Sequence, residues 1–126
     1  MSLPNPYLQY QQNAVQGAGP GELTMMLYNG LVKFLMLSLN SVNQKNIYGA
    51  HNNLLRSQEI IIHLNETLDH SYGLSKNLSA LYEYMNRRLR EANVNKDVII
   101  IEEILGLAKE LRDTWEQALK LIKEQG

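Results

Sequence analysis

Apolar residues recur along most of the chain at intervals of three and four, the period of an α-helix turning about 100° per residue. The pattern is densest from Glu22 to Asn40 (ELTMMLYNGLVKFLMLSLN). Wound as a helix, this stretch carries one stripe of Leu23, Met26, Leu27, Leu31 and Phe34, with Gly30 admitting a close neighbour. A second stripe holds Met25, Tyr28, Val32, Leu35, Met36 and Leu39. Only Glu22, Asn29, Lys33 and Asn40 form a polar wedge. A helix apolar nearly all round must be covered nearly all round, by its own chain or by a partner.

Three further helices follow from the same spacing. The second has an inner stripe of Ile47, Ala50, Leu54, Ile61, Leu64 and Leu68, with Leu55, Ile60 and Ile62 on its shoulders and Arg56, Glu59, His63 and Glu66 on the wet face. The third shows Leu74, Leu78, Leu81, Met85, Leu89 and Ala92, with Tyr82 on a shoulder; Asn93 and Asn95 bracket the connection that follows. The fourth repeats Ile101, Ile104, Ala108, Leu111, Trp115, Leu119 and Ile122. Its opening Val98–Ile101 run is β-branched, but the long downstream periodicity favours helix. Helices are predicted at about 20–42, 46–69, 74–93 and 96–123. Short links make neighbours antiparallel, so the expected fold is all-α: an up-and-down antiparallel four-helix bundle forming a single domain over residues 1–126.

Residues 1–19 stand apart. Pro4 and Pro6 flank Asn5, Tyr7 and Tyr10 lie three apart beside Leu8, and Gly17 and Gly19 precede Pro20. Two tyrosines on one side of a helical turn predict a short helical or extended segment that docks as a cap. Pro20 suits the first position of a helix, where its missing N–H costs nothing.

Composition narrows the function. An apolar fraction of 44% and a charged fraction of 20% are those of a globular domain. A net charge of −1 gives no field that would draw in nucleic acid or an anionic membrane. The absence of cysteine removes disulfides and thiolate metal sites. No signal-peptide pattern opens the chain, and Asn29 and Lys33 argue against a membrane span at Leu23–Leu39, so the expectation is a cytoplasmic protein without membrane insertion. Before Lys45 the only charged side chains are Glu22 and Lys33, which marks the first third as built for contact.

Chemistry is not visible. His51, His63 and His70 lack inward carboxylates at metal-ligand spacing, every inner stripe is apolar, and GAGPG follows no strand, so no catalytic residue, metal or cofactor is expected. Arg87, Arg88 and Arg90 are offset by Glu83 and Glu91. What remains is a non-enzymatic bundle with surplus apolar surface, suited to a helix or an extended peptide.

Asn5-Pro6-Tyr7-x-x-Tyr10-x-x-Asn13, Pro20-x-Glu22-Leu23, Met26-Leu27-Tyr28-Asn29-Gly30, Leu81-Tyr82-x-Tyr84-Met85-x-Arg87-Arg88-Leu89-x-x-Ala92-Asn93 and Leu111-Arg112-x-x-Trp115 occur in this order. Together they resemble the flagellin-specific secretion chaperone family FliS, from residue 5 to 115. The chain departs from that family at Gly17 and Gly19, where Thr and a Ser or Thr cap are usual, which implies a looser start to the first helix. The resemblance implies a cytoplasmic chaperone that binds the disordered C-terminal segment of flagellin, prevents its premature polymerisation and helps deliver it to the type III export gate. It also implies that the segment bearing Tyr7, Leu8 and Tyr10 covers an apolar groove and yields it to flagellin. Met25, Tyr28, Val32, Leu55, Ile62 and Tyr82, outside the inner stripes, are the candidate groove residues, with burial in the bundle the alternative for each. Gly30, Arg88, Asn93 and Trp115 are candidate architectural residues, Arg88 reaching a carbonyl or carboxylate at a bundle end. Apolar surplus also allows a weak homodimer, and a regulatory adaptor for a folded partner is the second functional reading.

Overall fold

The computed structural model describes residues 20–69 and 73–125. Among these, four helices follow one another, α1 (Pro20–Asn43), α2 (Ile47–Glu66), α3 (Leu74–Asn95) and α4 (Val98–Gln125), and no residue forms a strand. The expected cap segment and its Tyr7, Leu8 and Tyr10 lie outside the described residues. α1 packs on α2 and α4, and α3 packs on the same two helices. α1 and α3 therefore face each other across a diagonal, which is the up-and-down bundle that the hydrophobic spacing predicts.

Two of the links use one device. α1 and α3 each end on a lysine in the left-handed region, Lys45 at φ 61° and Lys96 at φ 54°. Asn46 N–H reaches back to the Ser41 carbonyl at 2.8 Å and Asp97 N–H to the Ala92 carbonyl at 2.9 Å, closing the six-to-one bonds of a Schellman turn. The next residue caps the following helix. Asn46 Oδ1 accepts from Gly49 N–H at 2.9 Å, and Asp97 Oδ1 from Ile99 and Ile100 N–H at 3.0 and 3.3 Å. These caps move the boundaries. Asn93 and Asn95 do not punctuate the α3–α4 link, because Lys96 takes the left-handed position and Asp97 the cap. α2 stops three residues short of 69, where Thr67 Oγ1 donates to the Leu64 carbonyl at 2.7 Å and the backbone tightens, Leu68 N–H turning to the Asn65 carbonyl at 3.3 Å.

The core answers the question that α1 poses. Leu27, Tyr28, Leu31, Val32 and Leu35, drawn from both of its stripes, are all at most 5% exposed. They pack with Leu54, Ile61 and Leu64 of α2, Tyr82, Met85 and Leu89 of α3, and Ile101, Ile104 and Ala108 of α4. Burial at about 1.5–3 kcal/mol per large apolar side chain makes this enclosure of α1 comparable with the whole net stability of a domain. α1 is long and apolar enough by composition to cross a membrane. Here it is the element on which α2 and α4 close.

One polar contact crosses the diagonal. The hydroxyls of Tyr28 and Tyr82 meet at 2.5 Å in the buried interior. Burial pushes both phenols above their usual pKa of 10.0, most strongly Tyr82; the bond between them partly offsets the rise for Tyr28 and adds to it for Tyr82. Tyr28 also meets the Trp115 ring edge-on, centroids 6.3 Å apart at 65°, while Trp115 Nε1 donates to the Gly21 carbonyl at 2.8 Å. α4 is thereby tied to the first turn of α1. The tight approach is at Gly21 rather than at Gly30. A methyl on Gly21 would stand 2.8 Å from Leu119 Cδ2, whereas one on Gly30 would make an ordinary contact with Ile60 Cδ1 at 3.4 Å.

Lys45→Gly relieves the left-handed strain at an exposed position and is expected to stabilise the fold by about 1 kcal/mol, raising the melting temperature by a few degrees. A lower melting temperature would show that Lys45 contributes more than its backbone costs. Tyr28→Phe leaves the Tyr82 hydroxyl buried without the partner it has here, and should cost roughly 1–3 kcal/mol in denaturant unfolding, while Tyr28→Phe/Tyr82→Phe should cost less than the two singles combined. Because both phenols are raised, their stabilisation is complete below the unfolded pKa of about 10 and is lost as pH climbs beyond it, so the double variant should show a shallower alkaline decline.

Candidate partner-binding face

The structure separates the candidate groove residues into two sets. Tyr28, Val32 and Tyr82 are 2%, 5% and 2% exposed and belong to the core, which corrects their placement outside it. They sit on the shoulders of α1 and α3, and in a four-cornered bundle each helix buries two shoulders, one against each neighbour. Met25 is half-buried. Leu55 and Ile62 are exposed, at 41% and 52%.

Those two belong to a line that the sequence reading missed. Tyr48, Leu55 and Ile62 recur at seven-residue intervals on the outer face of α2, with Tyr48 77% exposed. A seven-residue repeat drifts about 20° per step on a straight helix. The line therefore runs obliquely on the helix, and Ile62 at its end reaches a notch of about 230 Å³ between α2 and α3. Ile61, Ile62 and Tyr82 supply the apolar lining. Ile47, read as inner, is exposed beside Tyr48, since it is the first residue of α2 and lies at the bundle end. On α1 only Met36 and Leu37 stand out to solvent among the large apolar residues. Val94 of α3 and Ile99, Leu121 and Ile122 of α4 are exposed as well, toward the ends of their helices, so the apolar line along the length of a helix is on α2, not on the helix whose composition announced it.

The architectural candidates resolve into contacts. Arg88 bonds Glu103 of α4 from both Nε and Nη2 at 3.3 Å and Glu91 on its own helix at 3.3 Å. Tyr84 donates to the other oxygen of Glu103, a hydrogen bond that raises the phenol's pKa, and Arg87 lies over the Tyr84 ring at 5.3 Å. This seam is exposed and ties α3 to α4 at the rim. Asn93 Nδ2 meets His51 Nδ1 at 3.0 Å, linking α3 to α2, so Asn93 is a cross-helix clamp and not a helix stop. Gly30 and Trp115 have the places given above. Among the described residues, no three His, Asp or Glu side chains are grouped so as to hold a metal ion.

Comparison with known proteins assigns the chain to a family. A family model described as Flagellar protein FliS matches residues 3–121. The flagellar secretion chaperone FliS of Bacillus subtilis (strain 168) is 42% identical over 120 residues, covering 95% of this chain and 90% of its own. That of Escherichia coli (strain K12) is 33% identical over 86% of this chain and 82% of its own, and that of Salmonella typhimurium 34% identical over 84% and 81%. With a family match over nearly the whole length and relatives of this similarity, the chain belongs to the FliS family of flagellar proteins.

Proposed function

We propose that this protein is a non-catalytic cytoplasmic export chaperone that binds the disordered C-terminal segment of flagellin, keeps it from polymerising prematurely and helps bring it to the flagellar type III export gate. The observation that carries the reading is the Tyr48–Leu55–Ile62 line on a member of a family whose relatives are named flagellar secretion chaperones. One heptad-spaced line on a helix, beside the notch between α2 and α3, is the seat for an amphipathic segment that folds as it docks. Leu55, Ile62 and the rim around Tyr82 receive its apolar side chains, with half-buried Met25 of α1 as a further contact. A segment that must order itself pays that entropy on binding, which keeps the complex releasable.

Residues 1–17 act in this reading as an internal substitute ligand. They carry no charged side chain and present Tyr7, Leu8 and Tyr10 ahead of the glycines at 17 and 19. Occupying apolar surface in the absence of flagellin, they hide it and lower the partner's apparent affinity.

Calorimetric titration with a peptide of roughly the last forty residues of the host's flagellin should give saturable binding, a gain in helix by circular dichroism and a negative heat-capacity change. Leu55→Glu/Ile62→Glu, both at exposed positions, should weaken that binding more than about tenfold with the fold retained. No binding by the folded wild-type protein would sink the flagellin reading and favour an adaptor for a folded partner. Separately, deletion of residues 2–16 should tighten peptide binding or bring on aggregation. Weaker binding at unchanged solubility would instead make the segment a permanent part of the site.

A further inference from the structure

The notch between α2 and α3 has a polar side that the apolar line does not use. Asn86 is 9% exposed and lines the notch, as does Asn65, and the carbonyl oxygen of each is buried with no donor among the described residues within hydrogen-bonding reach. Glu66 of α2 and Glu83 of α3 stand on the two rims. Among the described residues Glu83 pairs with no cation, and Glu66 faces only His63, at 3.9 Å. Ser79 completes the polar lining, and no lysine or arginine contributes to it. The recess thus combines two carboxylates, two amide carbonyls without donors and an aliphatic shoulder at Ile62.

We infer that this notch is a receptor for one arginine side chain of a bound polypeptide. A guanidinium carries five N–H donors in a planar fork and no acceptor, so it can reach acceptors on both helices at once, where the compact ammonium of lysine is a single point of charge. Its methylene stem would lie on Ile62 with the charged head between Glu66 and Glu83. The volume fits the assignment: about 230 Å³ is below the range of small-molecule pockets and suits a single side chain. The arginine has to come from another chain, since residues 1–19 contain neither lysine nor arginine. That the arginine belongs to the flagellin segment rests on the function proposed above, and it would give that segment an electrostatic contact which the chain's own uncharged N-terminal residues cannot copy.

The test needs no flagellin. The full chain, labelled with ¹⁵N, is titrated with N-acetyl-arginine methylamide and, in parallel, with the citrulline derivative, its neutral isostere, following the side-chain amide signals of Asn65 and Asn86. The arginine compound should move both amides saturably in the millimolar range, and citrulline should bind at least about tenfold more weakly. Glu66→Gln/Glu83→Gln, at two exposed positions, should weaken the arginine compound by about tenfold and leave the melting curve in place. Equal effects of the two compounds, or unmoved Asn65 and Asn86 signals up to about 100 mM, would overturn the inference. The two ideas fail separately: a flagellin peptide that binds while the arginine compound does not removes the notch and leaves the export chaperone, and the converse does the reverse.

Discussion

A helix with no wet half has to be enclosed from two sides, and that constraint on α1 organises the molecule. Leu27 and Leu31 lie on one of its stripes, Tyr28, Val32 and Leu35 on the other, and all five are buried. One neighbour could cover only one stripe. α2 and α4 together cover both, which places α3 on the far corner and makes the arrangement a closed ring of four antiparallel contacts. The diagonal is then bridged by side chains alone. Tyr28 and Tyr82 are long enough to meet in the middle, and their hydroxyls find each other there. A buried hydroxyl without a partner is costly, so the pair also penalises any slip of α1 against α3 along the bundle axis.

Around that centre, register is held at the rims by a few directed contacts. Trp115 ties the far turns of α4 to the first turn of α1, Asn93 reaches His51, and Arg88 with Tyr84 grips Glu103. The exposed ion pairs add little stability individually. The geometry of these three contacts is more telling than their energy, because each joins a different pair of adjacent helices. The two lysine turns complete the scheme: links this short leave no slack, and the chain accepts left-handed backbone at Lys45 and Lys96 to reverse direction within them.

Much of this could be read from the residues and some could not, for reasons that differ by position. Number, order and class of helices follow from the spacing of Ile101, Ile104 and Ala108, or of Leu54, Ile61 and Leu64, all of which are core. Shoulder residues are harder. Tyr28, Val32 and Tyr82 lie off the central stripe of their helices, which leaves groove and core both open for them in the sequence, because a corner helix buries an arc toward each neighbour and periodicity along one helix does not say how wide that arc is. At the ends the stripes overreach. Ile47 and Ile122 keep the phase of an inner residue yet are 56% and 64% exposed, since they lie in the opening turn of α2 and the last turns of α4. Leu55 and Ile62 were identified as surface candidates on their own shoulders, while Tyr48 was missed because the line of three becomes visible only when α2 is known to have a single outer face. Asn65 and Asn86 carried no signal at all: an asparagine buried beside a notch looks in sequence like any other polar helical residue.

The division of labour between α1 and α2 follows from this geometry. An excess of apolar surface on α1 looks like an advertisement for a partner, but two faces of one helix are what the centre of a four-helix ring demands. Met36 and Leu37 are the remainder that the ring leaves uncovered on it. On α2 the demand is smaller, since Ala50, Leu54, Ser57, Ile61 and Leu64 suffice to fill its buried face. Tyr48, Leu55 and Ile62 are thus surplus to folding. Three exposed apolar side chains in one line lower solubility without adding to the core. Their line on the face opposite the core, leading toward a recess with acidic rims, is not called for by the packing of the described residues, and it is this surface that the proposed docking of a polypeptide would use.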